Sequence, residues 1–391
     1  MKSRNIIILF IVSSFFVYGC QSSEKALEKD GYYVAAYVYP GTHSDPLAIK
    51  KWHPQGIGDW EFIKIAKPRY DGHYQPKVPL WGYEMDNDPK VVEKWIDAAT
   101  DHGINVFTYC WYWYEEGPFL EGGLNDGFLK AKNNKKMYFN LMWANHDIRK
   151  RPPVYIDDTS VLFHGAVDWK NFTIIVDRVI KQYFHKPNYF KIDGQPVFSI
   201  FDLGKLLESF GGSTEETRKA LDYFREEARK SGLPGVHFQC CTDGWLRTKR
   251  EAELIEEIGF NSATSYNMLA VRNTEDYIEN GSLSLKAMEQ RDEMLNIPFF
   301  PCISIGWDNT PRYANLGKEN TVHYNKTPES FAALLSKAKK FVDKRPNQSK
   351  LIMINAWNEW AEDNYLLPDM KYGFSYLEAV KNVMNGKYDK Y

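Results

Sequence analysis

The residues best suited to chemistry lie near the end of the chain, where Glu359 and Glu362 are three positions apart. They follow the strongly apolar run Leu351–Ala356, and a charge beside a buried strand is costly unless it is used or paired. Two carboxylates in one cleft push their pKa values apart, which yields a base and an acid near neutral pH. The alternative is a solvated loop in which a carboxylate caps the last helix, and the spacing alone does not decide between the two.

A second apolar run, Phe107–Tyr114, is crowded with aromatic residues. Side chains alternate across a strand, so Trp111 and Trp113 lean to one side and Tyr112 leans to the other. Aromatic faces stack on the C–H faces of sugar rings, and we predict that Trp111 or Trp113 provides such a platform. The alternative is packing between a barrel and its helices, which would claim at least one of the two indoles.

Amide, phenol, imidazole and indole groups also stand where other apolar runs end, a pattern typical of a site that binds hydroxyl groups. A lone histidine such as His146 is more often structural, but its place after a strand makes it a ligand candidate. The sequence has no Ser nucleophile elbow and no phosphate-binding Gly loop, so paired carboxylates and a hydroxyl-rich substrate indicate glycoside cleavage. The predicted substrate-binding residues are Tyr39, His73, Trp111, Trp113, Trp143, Asn145, His146, Tyr266, Trp307, Asn358 and Trp360.

The elements that must position these residues are eight apolar runs that alternate with amphipathic stretches. Eight strand–helix units, with no GxGxxG after any strand, favour a single (β/α)8 TIM barrel domain over residues 31–391 rather than an open doubly wound sheet. The segment Pro40–Asp88 is far longer than most loops after a barrel strand, and we expect it to be functional. The predicted strands are Tyr32–Tyr39, Ile104–Trp113, Met137–Ala144, Pro196–Phe201, Val236–Cys241, Ala263–Tyr266, Phe299–Ile305 and Leu351–Ala356. The predicted helices are Pro89–His102, Gly127–Lys132, Trp169–Tyr183, Glu215–Ser231, Arg250–Ile258, Leu283–Met294, Pro328–Val342 and Phe374–Val383.

Residues 1–19 have the layout of a signal peptide, with two basic residues, a short apolar run and then Gly19-Cys20. Val17-Tyr18-Gly19-Cys20 resembles a bacterial lipoprotein box, which predicts lipidation of Cys20 and a polar tether over residues 20–30. We therefore expect a lipid-anchored protein of the bacterial cell envelope that contacts the membrane through Cys20 and works beside glycan-uptake partners. Ordinary secretion with cleavage nearby is the alternative.

Composition limits the partners and cofactors. The 391 residues carry 49 basic and 51 acidic side chains, and this net charge of −2 argues against nucleic acid as a partner. Aromatic residues make up 15% of the chain, with 12 Trp, 25 Tyr and 23 Phe, which suits a large core and stacking surfaces. The cysteines after Cys20 have no CxxC spacing and the histidines no metal-binding spacing, so we expect buried thiols, no metal and no cofactor.

Motifs along nearly the whole chain resemble WbsX-like proteins, which are relatives of glycoside hydrolase family 99. In order, the motifs are Trp60-Glu61-Phe62, Ala66-Lys67-Pro68, Gly72-His73-Tyr74-Gln75-Pro76, Trp143-Ala144-Asn145, Lys191-Ile192-Asp193-Gly194-Gln195-Pro196, Asn355-Ala356-Trp357-Asn358-Glu359-Trp360-Ala361-Glu362 and Tyr376-Leu377-Glu378-Ala379.

This resemblance implies a (β/α)8 barrel that cleaves a glycan, since family 99 hydrolases are retaining endo-α-mannosidases. It implies that the substrate's own 2-hydroxyl is the nucleophile, with Glu359 as the base that activates it and Glu362 as the general acid/base on the leaving oxygen. Ala361 and Asp363 depart from the His and Gly of family 99, so the WbsX-like branch is the nearer match and mannose specificity is not carried over. The alternatives are a WbsX-type glycosyltransferase and a non-catalytic glycan-binding lipoprotein.

Overall fold

A computed structural model describes residues 31–388 except 151, 156, 159, 269–274 and 317–321. The predicted signal peptide, Cys20 and the tether therefore lie outside the described residues. The described chain forms a parallel barrel of eight strands, which confirms the predicted fold class. The strands are β1 (Tyr32–Val38), β2 (Val106–Tyr114), β3 (Tyr138–Trp143), β4 (Gln195–Ile200), β5 (His237–Cys241), β6 (Ser262–Thr264), β7 (Phe299–Phe300 with Cys302–Ser304) and β8 (Lys350–Asn355).

The barrel closes through its seventh strand, which Pro301 divides into two segments. The first segment pairs with β6 and the second pairs with β8. Pro301 interrupts the strand between them, because a proline has no N–H to donate to a ladder. Strand β8 then pairs in parallel with β1, from Lys350 opposite Tyr32 to Ile354 opposite Ala36. The first and last strands of the barrel are therefore neighbours.

Helices surround this barrel close to the predicted positions. Asp276 accepts the N–H groups of Ile278 and Glu279, so the helix after β6 begins at Tyr277, six residues before the prediction. The helices are Pro89–Asp101, Trp169–Val179 with its π-helical continuation Ile180–Phe184, Leu203–Ser209, Thr214–Lys230, Lys249–Ile258, Tyr277–Met294, Pro328–Asp343 and Ser375–Met384.

The predicted helix at Gly127–Lys132 is wrong, because this segment of the chain instead forms a π-helical turn over Gly123–Phe128. The carbonyl oxygen of Asp86 approaches this turn so closely that a Cβ on Gly127 would lie 2.2 Å from it. A helical residue with a side chain has no room at this position. Contact with the segment Pro40–Asp88 therefore shapes the crossover from β2 to β3.

The segment Pro40–Asp88, called the long loop below, joins β1 to its helix and contains two short helices, Pro46–Lys51 and Trp60–Ile63. Its side chains Trp52, Trp60, Phe62 and Ile63 are buried, and it contacts the loops that follow β7 and β8. The remaining cysteines, Cys110, Cys240, Cys241 and Cys302, are buried and form no disulfide. Within the described ranges, no helix is both long and apolar enough to cross a membrane.

Candidate active site

A cavity of about 410 Å³ opens at the carboxyl ends of the barrel strands. Barrel enzymes carry their chemistry at this end, because the loops after the strands converge there. The wall combines aromatic, apolar and charged groups, as glycan sites do. Its residues are Tyr39, Trp52, Cys110, Tyr112, Met142, Ala144, His146, Asp147, Ile148, Arg149, Lys150, Pro152, Val154, Phe201, Tyr266, Arg312, Tyr313, Glu359 and Glu362.

Glu359 and Glu362 both line this cavity and share one arginine. The Oε1 atom of Glu359 lies 2.5 Å from Nη2 of Arg312, and Oε1 of Glu362 contacts Nη1 of the same guanidinium. The O–H of Tyr266 donates to Oε2 of Glu359 at 3.2 Å, whereas Oε2 of Glu362 is buried with no hydrogen-bond partner in the structure. One carboxylate oxygen of the pair is therefore covered by protein and has no hydrogen-bond partner among the described residues.

Burial shifts the protonation of both glutamates in the same direction. It raises the pKa of Glu359 above its ordinary value; Arg312 opposes this rise, and the neighbouring Glu362 adds to it. The pKa of Glu362 is also raised by burial, again against the pull of Arg312. The raised pKa values favour retention of a proton on this pair at neutral pH.

Arg312 comes from the 3-10 turn Thr310–Arg312 after β7, and Asp308 fixes the start of that turn. Oδ1 of Asp308 accepts the backbone N–H and the O–H of Thr310 at 3.0 and 2.7 Å. Its Oδ2 accepts Nε2–H groups from His73 and Gln75, both at 2.8 Å. Burial opposes ionisation of Asp308, but these bonds and nearby Lys77 outweigh it and hold the pKa well below its usual range.

The loop after β8 is held from its far side by two lysines. Asp363, directly after Glu362, has a left-handed backbone with φ of 60°. Its carboxylate lies 2.8 Å from Nζ of Lys77 in the long loop and 2.6 Å from Nζ of Lys326. All three side chains are nearly inaccessible to solvent, so this ion triad anchors the loop that carries the glutamates.

Three predicted binding residues reach the cavity, namely Tyr39, His146 and Tyr266. Asp243 accepts the backbone N–H groups of Tyr266 and Asn267, which sets the direction of the Tyr266 ring. Burial lowers the pKa of His146, so the imidazole is neutral at physiological pH and offers one donor and one acceptor. Whether these side chains bind substrate stays a prediction.

Asn358 does not line the cavity but positions a residue that does. Its side-chain oxygen accepts the backbone N–H of Tyr39 at 2.8 Å, and its amide donates to the carbonyl oxygen of Tyr39 at 2.7 Å. Asn145 has the same kind of role between β3 and β4, where its amide exchanges two 2.8 Å hydrogen bonds with the backbone of Asp202. Both amides therefore join neighbouring strand ends.

The predicted tryptophans and His73 do not line this cavity. Trp111 and Trp113 are buried between barrel and helices, where their N–H groups donate to Glu121 at 2.7 Å and to Asn171 at 3.3 Å. Their packing matches the alternative interpretation of the sequence for both indoles. The others are Trp143 and Trp360 in the same outer core, Trp307 packed against it, and His73 on Asp308.

Tyr112, Trp52 and Arg312 are among the residues of the cavity wall that were missing from the predicted set. Tyr112 lies on the opposite face of β2 from the tryptophans and reaches the cavity, as the alternation along the strand indicates. Trp52 comes from the long loop, whose length and aromatic content are its only signal. Arg312 stands in a polar loop, and nothing in the local sequence distinguishes it from a surface arginine.

Comparisons with known proteins agree with the geometry. A model of the family described as glycosyltransferase WbsX matches residues 34–380. A protein of Xanthomonas campestris pv. campestris (strain B100), described as uncharacterized protein WxcX, is 24% identical over 372 residues. That alignment covers 90% of this chain and 49% of the relative, so the chain spans about half the length of this relative.

Solved structures share the fold at low sequence identity. The GH99 endo-α-mannosidase from Bacteroides thetaiotaomicron is 15% identical with a TM-score of 0.56, over 90% of this chain and 97% of that one. A glycoside hydrolase-like protein is 14% identical with a TM-score of 0.57, over 91% and 94%. These structures support the barrel fold. The family model spans most of the sequence, as the motifs that resemble WbsX-like proteins predict. The chain belongs to the glycosyltransferase WbsX family.

Proposed function

We propose that the protein is a retaining glycoside hydrolase that cleaves internal bonds of a polysaccharide or other glycan. The observation that carries the proposal is the pair Glu359 and Glu362, buried in one cavity at the carboxyl ends of the strands and bridged by Arg312. Glycoside cleavage needs one group that gives a proton to the leaving oxygen and a second that assists attack at the anomeric carbon. Buried carboxyl groups with raised pKa values meet that need near neutral pH.

Glu362 is the general acid in this proposal. Its Oε2 atom is covered by protein and has no hydrogen-bond partner among the described residues, so a protonated Glu362 can turn this atom toward the glycosidic oxygen without first breaking a hydrogen bond of Oε2. Arg312 stabilises the carboxylate that remains after the proton has left. The same group then removes a proton from water in the second half of the reaction.

Glu359 is the base that draws the proton from the 2-hydroxyl of the sugar. Burial raises the pKa of Glu359 to about 8, but Arg312 and the O–H of Tyr266 oppose that rise and stabilise the charged form, in which Glu359 can accept that proton. The 2-oxygen attacks the anomeric carbon and forms a 1,2-anhydrosugar. Water then opens this ring with net retention, and Glu359 returns its proton to the 2-oxygen. The bond broken is the glycosidic C–O bond, and the leaving oxygen receives the proton from Glu362.

Aromatic and apolar side chains provide the surface for the sugar rings. Tyr39, Tyr112 and Tyr266 present rings with polar edges, and Met142 and Phe201 add apolar contact. The cavity is not fully enclosed, and Arg149 and Lys150 add charged groups to its wall. We infer that several sugar units of a longer glycan lie along this surface, which is the basis for proposing endo action.

The test is sugar release from a glycan panel by the wild-type protein, Glu359→Gln and Glu362→Gln. Glutamine keeps the shape but cannot donate or accept a proton near neutral pH, so we expect each variant to fold, to bind glycan and to lose roughly 10²–10⁴-fold in kcat. Glu362→Gln should recover partly on substrates with good leaving groups, which need little protonation, and Glu359→Gln should not.

A matched control is Glu121→Gln, since Glu121 is also held by an arginine, Arg178, but lies outside this cavity. It should keep near-normal turnover. Near-normal turnover by both active-site variants would refute the assignment. Ready cleavage of a substrate that lacks the 2-hydroxyl would replace the anhydrosugar route by an enzyme nucleophile such as Asp147.

The family's description favours a second candidate, a glycosyltransferase. A requirement for a nucleotide-sugar donor would identify it, whereas release of sugar in water alone identifies the hydrolase. Glycan binding with no release under either condition would identify a non-catalytic binding protein. We also propose lipid anchoring in the bacterial cell envelope through Cys20, with glycan-uptake proteins as partners.

A further inference from the structure

A second buried layer stands behind Arg312, centred on Asp59 of the long loop. Oδ2 of Asp59 lies 3.8 Å from Nη2 of Arg312, the nitrogen that also contacts Glu359. Oδ1 of Asp59 accepts the O–H of Tyr39 at 3.1 Å and lies 3.0 Å from Nε2 of His53. The Asp59 side chain is only 2% exposed, so its charge is not screened by solvent.

The local charge balance depends on Asp59. Arg312 is the single positive group in direct contact with the glutamates among the described residues, and it faces Glu359, Glu362 and Asp59. One guanidinium, with the imidazole of His53 beside Asp59, faces three buried carboxylates, and uncompensated buried charge is expensive. The remaining titratable neighbours of Glu359 are Tyr39, Tyr112, Tyr266 and Cys110, and burial raises the pKa of each, so they stay neutral.

We propose that Asp59 is a positioning residue that holds Arg312 between the two glutamates and whose charge helps the pair to keep a proton at neutral pH. The inference rests on the proposed function of the pair. Asp59 touches neither glutamate, and it acts through Arg312 and through its own charge. Its negative charge raises the pKa of Glu359 and of Glu362, in the same direction as burial.

The backbone of Asp59 is held independently of its carboxylate, since its N–H donates to the carbonyl oxygen of Gly41 at 2.9 Å. The Cβ position of the preceding residue, Gly58, is filled by the same carbonyl group, 2.0 Å away. Asp59→Asn therefore removes a charge without removing what holds the chain in place. We expect this variant to fold.

The measurement is the dependence of kcat/KM on pH, which reports the base on the acidic limb and the acid on the basic limb. Loss of the Asp59 charge lowers the pKa of both glutamates, so both limbs should move to lower pH, by about one unit. Asp59→Glu restores the charge and should bring the limbs back toward the wild-type position. Asp59→Ala removes the same charge with a smaller side chain and must give the same shift as Asp59→Asn.

Asp86→Asn is the matched control. Asp86 is also a buried carboxylate beside a histidine, with Oδ1 2.6 Å from Nδ1 of His43, and it lies in the same long loop but does not line the cavity. If loosening of the long loop caused the shift, Asp86→Asn would show it too. Unchanged limbs in the neutral Asp59 variants, or an equal shift in Asp86→Asn, would overturn the proposal.

A second readout separates this proposal from the proposed function. The infrared carbonyl band of a protonated carboxyl group, assigned by its loss in Glu362→Gln, can be titrated without any substrate. It should disappear at lower pH in Asp59→Asn than in the wild-type protein. If no glycan is cleaved but the titration of the band shifts, the hydrolase proposal fails and the role of Asp59 stands. If the band of Asp59→Asn titrates as in the wild-type protein, the role of Asp59 is refuted.

Discussion

Two neighbours on β2 should respond in opposite ways to truncation. Trp111 packs between barrel and helices, stacked on Trp113 with ring centres 5.9 Å apart, whereas Tyr112 lies on the cavity side. We therefore expect Trp111→Ala to lower stability with little effect on KM. Tyr112→Ala should raise KM, because its ring lines the cavity. It should also lower stability, but less than Trp111→Ala does, since its ring contacts the barrel interior as well as the cavity.

The size of each effect follows from the contacts that are lost. Removing a buried tryptophan costs about 3–5 kcal/mol, mostly through the cavity left behind. Glu121 loses the indole N–H but keeps Arg178 and the O–H of Tyr183, so little electrostatic cost is added. With an entropy of unfolding near 2.1 cal/mol/K per residue, about 350 ordered residues give ~0.7 kcal/mol/K, and Tm should fall by about 4–7 °C. Loss of a stacking ring from the cavity should weaken glycan affinity by about 1–3 kcal/mol, roughly 5–150-fold.

The assay is thermal unfolding of both variants, followed by KM and kcat on a glycan that the wild-type protein cleaves, or by direct glycan binding. Trp113→Ala is the control for Trp111, since both indoles lie on the same face, and it should repeat the stability effect. A strong rise in KM for Trp111→Ala at unchanged Tm would refute this assignment of faces. Unchanged glycan binding by Tyr112→Ala would refute it equally.

Two further predictions concern other parts of the molecule. The pKa of Asp308 is depressed in the folded state, so its contribution to stability is present above the pKa of an unfolded aspartate and is lost as pH falls through the folded value. Asp308→Asn should therefore lower the free energy of unfolding by about 3–5 kcal/mol at pH 7 and by less near pH 3. Chemical denaturation at the two pH values measures this difference, and an equal loss at both would contradict the prediction. Cys20→Ala should leave the protein soluble or unprocessed on cell fractionation, because stable membrane attachment needs the acyl chains, and membrane fractionation like that of the parent would exclude lipid anchoring.

The barrel could be predicted because hydrophobic periodicity is a local property. The apolar runs ending near Tyr39, Trp143 and Ala356 each mark a strand to within two residues, since a strand buried on both faces reads as a continuous apolar run. The same continuity hides which face points inward. Period-two alternation separates Tyr112 from its tryptophan neighbours, but both faces of a barrel strand are apolar, so the sequence does not decide which face meets the cavity.

Glu359 and Glu362 could be identified because their acidity stands out after an apolar strand. Arg312 and Asp59 could not, because each lies in a polar loop and acquires its role only when the loops meet. Asp59 and Arg312 are about 250 positions apart, and no local pattern reports a contact at that separation. The buried charge of Asp363 likewise depends on distant residues, because Lys77 and Lys326 approach its carboxylate from two other loops.

The long loop crosses the seam where the first strand meets the last, and this has a consequence for how such a barrel can change its substrate. Its residues Asp59, His73 and Lys77 each face a charged residue on the loops after β7 and β8. Grafting one of these loops from a relative would leave buried charge on the other without its counterpart, at a cost of several kcal/mol. We expect substrate preference to change when the long loop is exchanged together with the segments that it contacts. Chimaeras in which a single loop is exchanged should unfold, so that their substrate preference is never expressed.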